Sequence, residues 1–199
     1  MHEVTIQTGI GISFTFTACS YKKLIKMNDK IAAFRENQEQ VITRLNSLAV
    51  RPVLFRIYLL KILPMGFFAG LKIDSVTREK CVVTVPYKWL NKNPFRSTYF
   101  AVLGMGAELS TGFPAFSFTW KAKPAISMLI TGVRGEFSKK ATGRIYFTFD
   151  QLASMQEAIE KTIVSGAGET FECLSVGRTR DGKEVARFYF TWSFRLKIA

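Results

Sequence analysis

An α+β fold, with one apolar helix laid against one curved antiparallel sheet, is predicted by three features of this sequence. Runs of β-branched and aromatic residues recur through the second half of the chain, separated by short polar links of hairpin size. One long apolar stretch, from Thr98 to about Gly112, reads as a helix among them. The links between strands are too short to carry crossover helices, so neighbouring strands must run antiparallel.

Length and composition bound the rest. The chain has 199 residues, 48% of them hydrophobic and 18 of them Phe, enough for one domain with its own core. The formal net charge of +13 suits nucleic acid, anionic lipid or a phosphorylated small molecule. No run of five basic residues and no nucleic-acid motif accompanies that charge, so nucleic acid is not expected as a partner. Cys19, Cys81 and Cys173 are odd in number and far apart, which argues against a disulfide framework or metal clamp and for a reducing, cytoplasmic setting. His2 is the only histidine. Ser-His-Asp, Cys-His and histidine-zinc chemistry are thereby disfavoured, and no metal or organic cofactor is expected. Any reaction falls to carboxylate, amide, hydroxyl and backbone groups.

Residues 1–26 read as a poorly ordered leader. Its apolar run, Ile10 to Cys19, lacks both the basic start of a signal peptide and the length of a membrane span, so a membrane partner is not expected. Residues 27–64 read as helical: Ile31, Phe34, Val41, Leu45 and Leu48 recur at helical spacing behind an Asn28 or Asp29 cap, and a second apolar helix runs from Val53 to Leu63 until Pro64 and Gly66 end it. Strands are predicted over Phe68–Thr77 and Cys81–Pro86, joined by Arg78-Glu79-Lys80. After the apolar helix, Ile126–Ser138 and Gly143–Phe149 read as a strand pair. Asp150 then caps a helix from Gln151 to about Ile163, closed by Gly166 and Gly168. The strands Thr170–Thr179 and Glu184–Lys197 flank Asp181-Gly182, a turn dipeptide that favours positive φ.

The candidate site lies between Asn91 and Gly112. A polar loop, broken by Pro94, passes into an apolar helix whose ionisable side chain is Glu108. A carboxylate in such surroundings is costly unless it is paired or used. Ala101, Gly104 and Ala107 make the neighbouring helix surface small, and helical glycines sacrifice ~1 kcal/mol each, so something must approach that face closely. Packed strands and a flat ligand group both satisfy that need. Ser97 and Thr98 read as helix caps, and Thr111 as a packing residue that lies near Glu108.

The order of elements, together with N-K-N-P-F-R-S-T-Y-F before the helix and G-A-E-L-S-T-G within it, resembles the hotdog-fold acyl-CoA thioesterases, in particular a thioesterase-like branch related to the phenylacetate-pathway type. The resemblance implies a hotdog domain over residues 65–199, its sheet wrapped around the central helix. It implies Asn93 as the loop Asn of the family, with Asn91 as the alternative, and Glu108 as its helix carboxylate. Glu108 would act as base or nucleophile, Asn93 would position water, and the first helix N–H groups, at Tyr99 and Phe100, would hold the oxyanion. Outside the resemblance, the residues themselves offer Thr98, Gly104 and Thr111 as lining for a substrate site, and the basic side chains Arg134, Lys139, Lys140, Arg144, Arg178, Arg180 and Lys183, on strands and hairpin ends, as candidates to meet coenzyme A phosphates, Lys139 and Lys140 foremost. The family implies a homodimer or dimer of dimers with the site between subunits, acting on acyl-CoA or a related thioester. One position departs from the pattern: phenylacetate-type members carry His-Gly where this chain has Tyr99-Phe100. That favours a rival reading, a hotdog domain that binds acyl-CoA or a lipid-like ligand without turnover. A basic scaffold or membrane-peripheral module is a third reading, supported by the leader and the charge alone.

Overall fold

The computed structural model describes residues 3–7 and 13–197, with side chains from residue 25 onward. The segment expected as a poorly ordered leader contains β1 (Glu3–Gln7) and β2 (Ser13–Thr17), which pair antiparallel, and the first turns of α1 (Ala18–Ala49). His2 lies outside the described residues. α1 therefore starts at Ala18 and not at an Asn28 or Asp29 cap, in keeping with the lack of Gly and Pro between them.

Helices α2 (Pro52–Ile62) and α3 (Pro64–Ala69) follow, each with proline in its first turn, where the missing N–H costs no hydrogen bond. Pro64 thus opens a helix as well as ending one. The strand expected from Phe68 consequently begins only at Lys72, as β3 (Lys72–Val76), and β4 (Cys81–Val85) returns beside it.

Helix α4 (Phe100–Thr119) runs past Gly112 and through Pro114 to Thr119, longer than the sequence predicts. Tertiary packing overrides the local breakers here, because α4 is enclosed by strands and helices on nearly every side. A Cβ on Gly106 would stand 2.2 Å from Val85 Cγ2, so the small residues of α4 are what let the sheet close on it.

β5 (Ile126–Phe137), β6 (Ile145–Phe149), α5 (Leu152–Ser165), β7 (Glu169–Arg178) and β8 (Glu184–Leu196) complete the chain. Asp150 does not cap α5: Gln151 is the N-cap residue, and its Oε1 accepts instead from Leu174 N at 3.0 Å. Gly166 ends α5 at φ 72°, and Gly182 takes φ 83° in the β7–β8 turn, as both positions predict.

The six-stranded sheet has the order β3-β4-β6-β7-β8-β5, antiparallel throughout. β5 pairs with β8 along eleven residue partners, from Ile126 opposite Leu196 to Phe137 opposite Ala186, and not with β6 as adjacency in sequence predicts. The link after Phe137 carries the chain across the N-terminus of α4, where Ala141 O accepts from Thr98 N at 2.8 Å. β6 is thereby delivered between β4 and β7. Side chains at alternate positions of the sheet, Val83, Phe147, Cys173 and Phe190 among them, are buried on the face that holds α4. α1 lies outside this layer, tied to α5 by Arg35, whose Nε and Nη2 donate to Glu160 at 2.7 and 2.8 Å.

Candidate functional site

The loop before α4 is built by Asn93. Its Oδ1 accepts from Phe95 N at 3.0 Å, Ser97 N at 3.1 Å and Ser97 Oγ at 3.2 Å, an Asx-type turn that folds the polar segment back on itself. Arg96 takes φ 60° within this turn. Neither Ser97 nor Thr98 caps the helix, contrary to expectation: Ser97 Oγ donates to Asn93, and Thr98 Oγ1 donates to Ala141 O at 3.1 Å. The N-cap residue is Tyr99, without a side-chain cap.

Asn91 is buried and serves as a tie. Its Nδ2 donates to Ala69 O at 2.9 Å and Pro86 O at 2.7 Å, joining the loop to α3 and to the end of β4. Asn91 O also accepts from Tyr99 N at 2.7 Å. The Tyr99 N–H, expected as an oxyanion donor, is therefore already engaged. The next backbone donors, at Phe100 and Ala101, precede the first intrahelical bonds to Tyr99 O and carry the positive end of the helix dipole. Phe100 alone of the two expected donors keeps that capacity.

A cleft of about 610 Å³ opens at this end of α4, between the Asn93 loop and the chain from Phe137 to Ala141. Asn93, Thr98, Tyr99, Phe100, Lys139 and Lys140 all line it. The structure thus brings the predicted loop Asn, helix start and lysine pair together. Tyr99, Phe100 and Phe137 form edge-to-face aromatic contacts at the mouth, with centroids 4.9 and 6.4 Å apart.

Glu108 is not in that cleft. It sits two turns further along α4, a rise of about 12 Å from Phe100. The carboxylate lies over Gly112 and beside Trp192: a Cβ on Gly112 would meet Glu108 Oε1 at 2.7 Å and the Trp192 ring at 3.2 Å. Among the described residues no Lys or Arg forms an ion pair with Glu108, and burial raises its pKa above the ordinary 4.5. Thr111 stands one turn on and completes a chain that sequence reasoning did not find: Trp192 Nε1 donates to Thr111 Oγ1 at 3.1 Å, and Thr111 Oγ1 donates to Glu108 O at 3.1 Å. No spacing signal links residues so far apart in sequence. Gly104 packs against Phe188, where a Cβ would make ordinary contact at 3.4 Å.

Of the basic side chains on strands and hairpin ends, Lys139 and Lys140 line the cleft, while Arg134, Arg178 and Lys183 are paired with Glu136, Glu184 and Asp181. Among the described residues no three His, Cys, Asp or Glu side chains converge as a metal site.

No family model and no curated protein matches the sequence. Solved structures do match the fold. A probable thioesterase of unknown function from Pseudomonas aeruginosa superposes with a TM-score of 0.59 at 14% identity, over 73% of this chain and 97% of that one. A protein of unknown function from Chlorobaculum tepidum gives 0.58 at 16% identity, over 75% and 99%. A thioesterase from Haemophilus influenzae gives 0.52 at 10%, over 72% and 90%. The sheet order, the enclosed helix and these likenesses agree: this chain has the hotdog fold.

Proposed function

We propose that the protein is an acyl-CoA thioesterase, a homodimer or dimer of dimers that works in the cytoplasm without metal. The observation that carries this reading is Glu108, a half-buried carboxylate on the central helix with a raised pKa and, among the described residues, no cationic partner. Such a group is costly to hold, and its raised pKa makes it a stronger base than an exposed carboxylate.

In the proposed reaction Glu108 takes a proton from water, and the water oxygen bonds to the thioester carbonyl carbon. Negative charge develops on the carbonyl oxygen, which the Phe100 N–H at the helix start receives. The carbon–sulfur bond then breaks, and the proton held by Glu108 passes to the departing thiolate, giving a carboxylic acid and free thiol. Asn93 has its Oδ1 committed to the loop, so its Nδ2 is the atom left to position water or substrate. Lys139 and Lys140 meet phosphates.

Because Glu108 and the Asn93 cleft are two helical turns apart in one chain, the proposed site pairs the cleft of one subunit with the carboxylate of the other. The crowded aromatic mouth at Tyr99, Phe100 and Phe137 favours the second reading, acyl-CoA binding without turnover.

Release of free thiol from short, long and aromatic acyl-CoA esters, measured for wild type and Glu108→Gln, tests the proposal. Turnover that disappears in the variant supports hydrolysis. Saturable binding with no turnover in either protein replaces it with the binding reading.

A further inference from the structure

Helix α2 is apolar on two opposite sides, and only one of them faces the core. Phe55 and Leu59 are buried, while Val53, Ile57 and Leu60 form a stripe on the other side at i, i+4 and i+7, all exposed. α3 continues the exposed apolar surface with Met65 and Phe68. The turn that carries Trp89 is fastened to α3, because Lys88 Nζ donates to Phe68 O and Asn91 Nδ2 to Ala69 O. Trp89 in that turn is 82% exposed. Large apolar and aromatic side chains therefore crowd one outer surface of a single chain, more than scattered exposure accounts for.

Charge on this surface has one sign. No Asp or Glu occurs between Glu39 and Asp74, or between Glu79 and Glu108, the two stretches that form it. Arg56 and Lys61 flank the α2 stripe on either side, and Lys88 and Lys92 flank Trp89. Arg56 and Lys88 stand near enough that their mutual repulsion, after burial, lowers the lysine pKa. An apolar helix face edged by Arg and Lys, with a tryptophan at its rim, has the chemistry of a segment lying in the plane of a lipid interface: the apolar side chains enter the acyl boundary and the long cations reach up to anionic headgroups. A nucleic acid would reward the cations but not the stripe of Val, Ile and Leu.

The geometry points to peripheral docking of the α2–α3–Trp89 face on an anionic lipid bilayer. This departs from the expectation of no membrane partner, which rests on the lack of a spanning segment, and no described helix is in fact long and apolar enough to cross a membrane. It stands apart from the thioester reading and survives that reading's failure.

Flotation of the full chain with phosphatidylcholine vesicles, and with vesicles containing about 30% phosphatidylserine, tests it. Wild type is expected to float with the anionic vesicles, and to bind them at least about tenfold less at 0.5 M salt. Ile57→Glu with Leu60→Glu is expected to reduce binding at least about tenfold while circular dichroism stays unchanged. Trp89→Ala, a single exposed position, decides the matter should the double variant misfold. Quenching of tryptophan fluorescence by brominated lipid is expected in wild type and lost in Trp89→Phe. Absence of flotation overturns the proposal. So does flotation that both the double variant and Trp89→Ala retain, which would mean diffuse charge attraction. Conversion of a wild-type dimer to monomer by the double variant, without lipid binding, would assign the face to a second copy.

Discussion

Glu108 rests on Gly112: the carboxylate occupies the space where a Cβ on Gly112 would stand, 2.7 Å from Glu108 Oε1. A glycine that weakens the helix by about 1 kcal/mol thus holds open the position of the one carboxylate on α4. Trp192 closes the same space from β8.

Gly112→Ala is therefore expected to separate stability from function. The alanine regains helix propensity while crowding the flexible end of Glu108 and, at 3.2 Å, the buried Trp192 ring, and these opposing effects should leave thermal melting within about 5 °C of wild type. Thioester turnover should fall at least about tenfold as Glu108 is displaced. Unchanged turnover would show that the Gly112 gap does not set the carboxylate position.

The raised pKa of Glu108 fixes the sign of two pH effects. Unfolded, the carboxyl ionises near its ordinary 4.5, whereas in the folded chain it ionises at higher pH because burial disfavours the charge. Its stabilising contribution is complete below about pH 4.5 and is lost as pH rises through the folded value. Urea midpoints of Glu108→Gln and wild type should agree at low pH, and the variant should be the more stable at about pH 8. Activity runs the other way, increasing as the base ionises, along a limb with an apparent pKa above 4.5.

Asn93 combines two roles that Asn93→Asp can divide. Aspartate keeps an oxygen for the bonds from Phe95 N and Ser97 N, so the loop and the melting temperature should be preserved. The Nδ2 donor is removed. Loss of turnover by at least about tenfold would assign that donor to the reaction, and full activity would leave Asn93 as a loop former alone.

Lys139→Ala with Lys140→Ala should raise KM for acyl-CoA and leave kcat unchanged, because phosphates far from the reacting carbon are bound equally before and during reaction. The effect should shrink in high salt. A fall in kcat with KM unchanged would count against the phosphate role.

Arg35 and Glu160 hold α1 to α5, with the Glu160 side chain 7% exposed and that of Arg35 60% exposed. Arg35→Met leaves a buried carboxylate with Gln156 Nε2 as its remaining side-chain donor, at a cost of roughly 1–3 kcal/mol after allowing for screening at the exposed arginine. Glu160→Gln should cost less, and the double variant should recover part of the loss in a denaturation cycle.

Several of these features can be read directly from residue order. The Asp181-Gly182 and Arg78-Glu79-Lys80 links mark hairpins, Asn93 before Pro94 marks a turn, and an isolated Glu108 in an apolar helix stands out for its cost. These are local: a turn needs particular φ angles and a buried charge needs compensation, wherever the rest of the chain lies.

Local residue patterns thus specify an antiparallel α+β chain with a central apolar helix, a polar loop before it and a carboxylate within it. Long-range packing sets the rest: β5 pairs with β8, α4 runs on through Gly112 and Pro114, and Asn91 O occupies the Tyr99 N–H. The same packing puts Lys139 and Lys140 in one cleft with Asn93 and leaves Glu108 outside it. Contacts between residues distant in sequence are chosen by the sum of burial over the whole sheet and helix, not by the preferences of either partner, so no local pattern announces them.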